Sequence, residues 1–187
     1  AWWKSPYWSY RKYFNGWFCL ENKNYSEAVK YFSLSINIDE KSFYTYERRA
    51  TALFFLNEYS KALRDVLHSI QLEELMANYK LAGECYLQMA DYTNAIKYFD
   101  KAILKFKQSG ELYKVDKSEY EHTMAVICNN RGICYFKTGD LINGIASADE
   151  GITYKADYHN NHFIKGIMLV KLGEKTKAIE SFKLAAK

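Results

Sequence analysis

Apolar residues recur along this chain at the three- and four-residue spacing of a helix face, in paired stretches separated by short polar breaks. Residues 78–103, NYKLAGECYLQMADYTNAIKYFDKAI, show the unit most clearly. Tyr79, Gly83 and Tyr86 share one face of a first segment, and Ala95, Phe99 and Ala102 share one face of a second. Ala90–Asp91–Tyr92 joins them. Small residues at Gly83, Ala95 and Ala102 let two helix axes approach, while Tyr86, Tyr92 and Phe99 fill the space between. The stretch predicts an antiparallel helix pair.

The same pattern returns along the chain. Ala95 is matched by Ala28, Ala62, Gly144 and Ala178, at successive spacings of 34, 33, 49 and 34 residues. The small residue of the first helix recurs as Gly16, Ala50, Gly83, Gly132 and Gly166. The small residue late in the second recurs as Ser35, Ser69, Ala102, Gly151 and Ala185. Four residues after the alanine column stand Phe32, Val66, Phe99, Ala148 and Phe182. At the turn, the position that needs a left-handed backbone holds Lys23, Asn57, Ala90, Gly139 and Gly173, three of which adopt it cheaply.

These columns resemble the tetratricopeptide repeat, W-x2-L-G-x2-Y…A-x3-F…P over 34 residues, across residues 9–187. The tryptophan column departs from it, reading Lys12, Tyr46, Tyr79, Cys128 and His162, and the closing proline is absent. The resemblance implies an all-α solenoid of about five helix-turn-helix repeats, wound as a right-handed superhelix with a concave groove. Repeats are expected at 9–42, 43–75, 76–109, 125–158 and 159–187, after an aromatic extension at 1–8 that carries Trp2, Trp3 and Trp8. Residues 110–124 read as an insertion that lengthens a helix, through Leu112, Val115, Tyr120 and Met124, after a short loop at 108–110. Ser26, Ser60 and Thr93 are expected to cap the second helices. Repeat four carries Gly144, Ala148 and Gly151 where larger residues would pack, so it is expected to be the loosest. Repeat five lacks a capping helix, and the chain reads as a segment of a longer protein or a processed chain.

Composition narrows the function. One proline in 187 residues agrees with near-continuous helix. The net charge of +4 is spread over 26 basic and 22 acidic residues without a run of one sign, which argues against nucleic-acid binding. No apolar run is long enough to span a membrane. Cys19, Cys85, Cys128 and Cys134 form no C-x-x-C pair and read as buried free thiols of a reducing compartment, hence a cytoplasmic location. His159, His162 and Asp157 have a spacing that could suggest a metal, but turn-and-cap residues explain them better and no fourth ligand is evident. No phosphate loop, nucleophile elbow or catalytic carboxylate pair stands out. The expectation is a non-catalytic chain with no metal and no cofactor.

The resemblance also implies where a partner would bind. In the family, first helices line the groove. Its positions fall here on Tyr10, Tyr13 and Trp17 in repeat one, Tyr44 and Glu47 in repeat two, and Lys80 and Glu84 in repeat three. Repeats four and five contribute Asn129, with Asn130 beside it, and Phe163. Tyr13, Trp17 and Tyr44 are expected to form one aromatic patch suited to an apolar or helical ligand. The family's carboxylate clamp for heat-shock chaperone tails matches poorly: Lys80 and Asn130 fit it, but Glu84, Asn160 and Ile164 stand where Asn, Lys and Arg are needed. The leading expectation is an adaptor that holds a peptide or helix of another protein. The alternatives are a structural subunit of a large permanent assembly and a clamp-type co-chaperone.

Overall fold

The computed structural model describes residues 6–108 and 117–187, which form ten α-helices and no strand among the described residues. They group into two compact units, divided between residues 89 and 90. The first holds α1 (Pro6–Glu21), α2 (Tyr25–Ile36), α3 (Phe43–Phe55), α4 (Tyr59–Leu72) and α5 (Met76–Gln88). The second holds α6 (Tyr92–Gln108), α7 (Lys117–Thr138), α8 (Leu141–Tyr154), α9 (His159–Lys171) and α10 (Lys175–Ala185). Within each unit, every helix packs on its neighbour in the chain. Alternate helices also touch, α3 against α1 and α5, and α7 against α9. This is the all-α, α-solenoid class.

The small and large columns interlock as ridge and slot. Phe32 of α2 is fully buried against Gly16 of α1, and Phe182 of α10 lies against Gly166 of α9. Where the first helix carries Ala50, the opposing column holds the smaller Val66. Ala28, Ala62, Ala95 and Ala178 are all buried to within 1% of full coverage, as a close helix crossing requires. A polar tie recurs with this packing: Ser35 Oγ donates to the Ser9 carbonyl, and Ser69 Oγ to the Phe43 carbonyl, both at 2.9 Å.

All five turn positions take the left-handed conformation, Lys23, Asn57 and Ala90 at φ near +60° and Gly139 and Gly173 at +86° and +80°. The turns at Lys23, Asn57, Gly139 and Gly173 close with paired bonds, such as Asn24 N–H to Cys19 O at 2.8 Å and Lys23 N–H to Leu20 O at 2.9 Å. That compact ending leaves little linker, so the second helices start earlier than the sequence suggests. They begin at Tyr25, Tyr59 and Tyr92, which places Ser26, Ser60 and Thr93 inside the first turn rather than at the cap. The starts of α2 and α4 have no side-chain cap, whereas aspartates cap α6 and α8, Asp91 receiving Asn94 N–H and Asp140 receiving Asn143 N–H, each at 3.2 Å.

The start of α1 and the packing of repeat four differ from expectation, and the lengthened helix is present. Helix α1 begins at Pro6, so Trp8 belongs to it, while Trp2 and Trp3 lie outside the described residues. The insertion extends α7 back to Lys117, and Leu112 and Val115 lie outside the described residues. Tyr120 stacks on Phe106 of α6 with ring centroids 3.7 Å apart, so the added turns of α7 are packed. Repeat four is not underfilled: Met168 of α9 enters the space over Gly144 and Asn161 that over Gly151. Met168, Ala148 and Ile164 form one buried cluster. The missing bulk is supplied by the following helix.

Candidate functional site

The first helices carry the candidate residues, and their exposure sorts them. In α1, Tyr10, Phe14 and Trp17 follow one another at helical spacing and remain 62%, 46% and 40% exposed. Their rings touch in sequence, Tyr10 to Phe14 at 4.8 Å and Phe14 to Trp17 at 6.1 Å between centroids. Phe14 is the member that groove-position matching misses; its place four residues after Tyr10 is the signal that reveals it.

Tyr13 is half-buried because its ring also packs on Phe32, 5.8 Å away, joining the core of the α1–α2 pair. With Tyr10 and Tyr44 it lines a pocket of about 390 Å³, completed by Ser9, Ser35, Asp39, Ser42 and Thr45. Ser9, Ser35 and Thr45 are buried. Their hydroxyls are engaged with one another, Ser9 with Ser35 at 3.1 Å and Ser42 with Thr45 at 2.8 Å. The expected grouping of Tyr13, Trp17 and Tyr44 is therefore divided. Tyr13 and Tyr44 share the pocket with Tyr10, whereas Trp17 lies outside its lining and contacts Phe14. The reason is distance along the axis: Trp17 shares a face of α1 with Tyr10 but stands two turns, about 10 Å, farther along it.

Farther along the unit the polar groove candidates are largely occupied. Lys80 Nζ lies 3.0 Å from Glu84 Oε1 in an i,i+4 ion pair on α5, so neither charge stands alone. Glu47 is half-buried, and desolvation pushes its carboxyl above the usual carboxylate range against the pull of Arg48, whose Nε is 3.6 Å away. That Nε is buried and has no hydrogen-bond partner.

In the second unit Asn129 is buried and its Oδ1 has no hydrogen-bond partner, whereas neighbouring Asn130 is half-buried. Phe163 on α9 is 54% exposed, with its ring 5.8 Å from Phe182. Lys171 places its ammonium over the Phe136 ring at 4.3 Å.

Other candidate chemistry resolves into structure. His162 Nε2 is 2.8 Å from the Ala156 carbonyl at the start of α9, a turn contact. Among the described residues no group of three or more His, Cys, Asp or Glu is placed to hold a metal. Cys85, Cys128 and Cys134 are buried free thiols, and burial raises each to about 12, far from a reactive thiolate. Cys19 is free and half-buried. No described helix is long and apolar enough to cross a membrane.

Comparison with known proteins agrees with this geometry. A tetratricopeptide repeat family model matches residues 77–104. A TPR repeat-containing protein of Methanocaldococcus jannaschii is 30% identical over 105 residues, 56% of this chain and 18% of that protein. DnaJ homolog subfamily C member 7 of Homo sapiens is 23% identical over 158 residues, 83% of this chain and 31% of that protein. The chain thus spans less than a third of the length of these curated relatives. Among solved structures, MamA from Desulfovibrio magneticus RS-1 superposes with a TM-score of 0.80 at 17% identity, covering 95% of this chain and 93% of that one. YrrB, described as a TPR protein with an unusual peptide-binding site, gives 0.74 at 11% identity, covering 93% and 82%.

Proposed function

We propose, from the premise that this chain belongs to the tetratricopeptide-repeat family, that it is a non-catalytic module holding a peptide or helix of a partner protein against its first helices. The observation that carries this reading is the run of exposed rings Tyr10, Phe14 and Trp17 beside the pocket that Tyr10 shares with Tyr44. Contiguous exposed aromatics of this size are typical of contact sites, and aromatic anchors dominate binding energy. The peptide-binding site named for YrrB supports the same use of the fold. Buried, unreactive thiols favour a reducing, cytoplasmic setting.

Two further readings differ in support. A clamp for carboxyl-terminal tails is disfavoured because Glu84 neutralises Lys80 at 3.0 Å and would repel a carboxylate. A structural role in a larger assembly is favoured by Phe18, which is 65% exposed on α1 although its repeat column holds the buried Ala52, Cys85, Cys134 and Met168. That column is covered in each later repeat.

The test is peptide selection by display against the whole chain, followed by affinity measurement. Trp17→Ala and Tyr44→Ala should each cost about 2 kcal/mol of binding with little loss of fold stability. Lys80→Ala and Asn130→Ala should matter much less. Affinity that depends on Lys80 and Asn130 but not on Trp17 would overturn the groove reading in favour of the clamp. Strong self-association without peptide capture would favour the assembly subunit.

A further inference from the structure

We propose that the pocket bounded by Tyr10, Tyr13 and Tyr44 is a subsite for a side-chain cation, the ammonium of lysine or of its methylated forms or the guanidinium of arginine, on the bound partner. This rests on the groove reading and specifies the chemistry at one point of it. Three tyrosine side chains line a single pocket of about 390 Å³, and the face of an aromatic ring attracts a cation.

The polar groups beneath them are already engaged. Ser35 Oγ donates to the Ser9 carbonyl at 2.9 Å, and the Ser9 and Ser35 hydroxyls are 3.1 Å apart. The remaining unspent group is Asp39, the only charged side chain in the lining. Its Oδ1 accepts the Lys41 N–H at 3.1 Å, and among the described residues no cation pairs with it. A negative pocket with aromatic sides is complementary to a positive guest and repels an acidic one.

Three cations on the flanking helices α1 and α3 are engaged elsewhere. Arg11 lies over Trp8 at 5.3 Å and Lys12 over Tyr31 at 6.0 Å. Arg49 lies over Tyr46 at 5.6 Å while it pairs with Asp65. Among the described residues, Tyr10, Tyr13 and Tyr44 carry none. Tyr10 and Tyr44 pack on Phe14 and Phe43, with centroids 4.8 and 3.8 Å apart, yet remain 62% and 53% exposed, which leaves ring surface for a guest.

The experiment titrates the whole chain, labelled at tyrosine for NMR, with four probes: Nα-acetyl-lysine methylamide, its Nε-trimethyl form, the arginine counterpart and a neutral carbon isostere of the trimethyl form. The cationic probes should shift the Tyr10, Tyr13 and Tyr44 ring signals saturably in the millimolar range, as suits a single subsite, and the isostere should not. Asp39→Asn should weaken the cationic probes about fivefold, and Tyr44→Leu should abolish the response. Both positions are exposed, so the fold is retained and is checked by circular dichroism. Equal binding of the isostere, or no saturable shift with any cation, overturns the proposal. Peptides that bind through Trp17 without a basic residue and without sensitivity to Asp39→Asn would also overturn it, leaving the groove reading intact. Cation binding by the rings with no peptide selected at all would sustain the pocket and remove the groove reading.

Discussion

Phe32 presses its ring so closely on the backbone of Gly16 that a Cβ at residue 16 would lie 2.7 Å from two ring carbons. The ring is fully buried, with Ala28, Leu20 and Ala52 around it, so it has little room to retreat. Gly16→Ala would gain about 1 kcal/mol of helix propensity, yet overpacking of a filled core costs about 1–3 kcal/mol. A net loss of stability is expected in denaturant melts. Gly16→Ala with Phe32→Leu should recover part of it, and a single variant as stable as the parent would mean the contact is not close.

Ala90 turns the chain at φ +59°, a conformation that disfavours a side chain and suits glycine. Ala90→Gly should therefore stabilise the protein by about 0.5–1 kcal/mol, the left-handed penalty less glycine's extra unfolded-state entropy. Thermal denaturation checks it. A lower melting temperature would contradict the turn geometry.

Met168 fills the space that Gly144 and Ala148 leave open, and it is fully buried. Met168→Ala should open a cavity costing about 2–5 kcal/mol and speed hydrogen exchange in α8 and α9. If exchange there already matched the chain ends in the parent protein, the filling role of Met168 would be refuted.

Glu150 links α8 to its neighbours, accepting from Arg131 Nη2 at 2.6 Å and Lys107 Nζ at 2.9 Å. Burial alone would raise its carboxyl, but the hydrogen bonds from Lys107 and Arg131 outweigh it and hold the group below its ordinary 4.5. A carboxyl depressed in the folded state contributes stability above its unfolded value, and this is lost as pH falls through the folded one. The parent protein should thus lose stability more steeply than Glu150→Gln as pH drops below about 4.5. Urea melts from pH 7 to 3 would show it, and parallel curves for the two proteins would exclude the linkage.

The sequence by itself determined the repeat, because helical periodicity and the size of a residue at a crossing are local properties. Ala28, Ala62, Ala95 and Ala178 mark the crossings, and Gly139 and Gly173 mark turns that glycine makes cheaply. Lys23 and Ala90 adopt the same turn although neither residue type favours a positive φ, so their residue types gave no sign of it. The helix starts at Tyr25 and Tyr59 were hidden for a similar reason: the closure of the preceding turn sets them, not a capping side chain. Met168 over Gly144, and Asp39 in one pocket with Tyr10, Tyr13 and Tyr44, join residues from different helices or a loop. Such contacts depend on the distance and angle between elements. Those are fixed by the summed packing of many side chains, so only the tertiary structure decides which rings share a pocket and which, like Trp17, stand beside it.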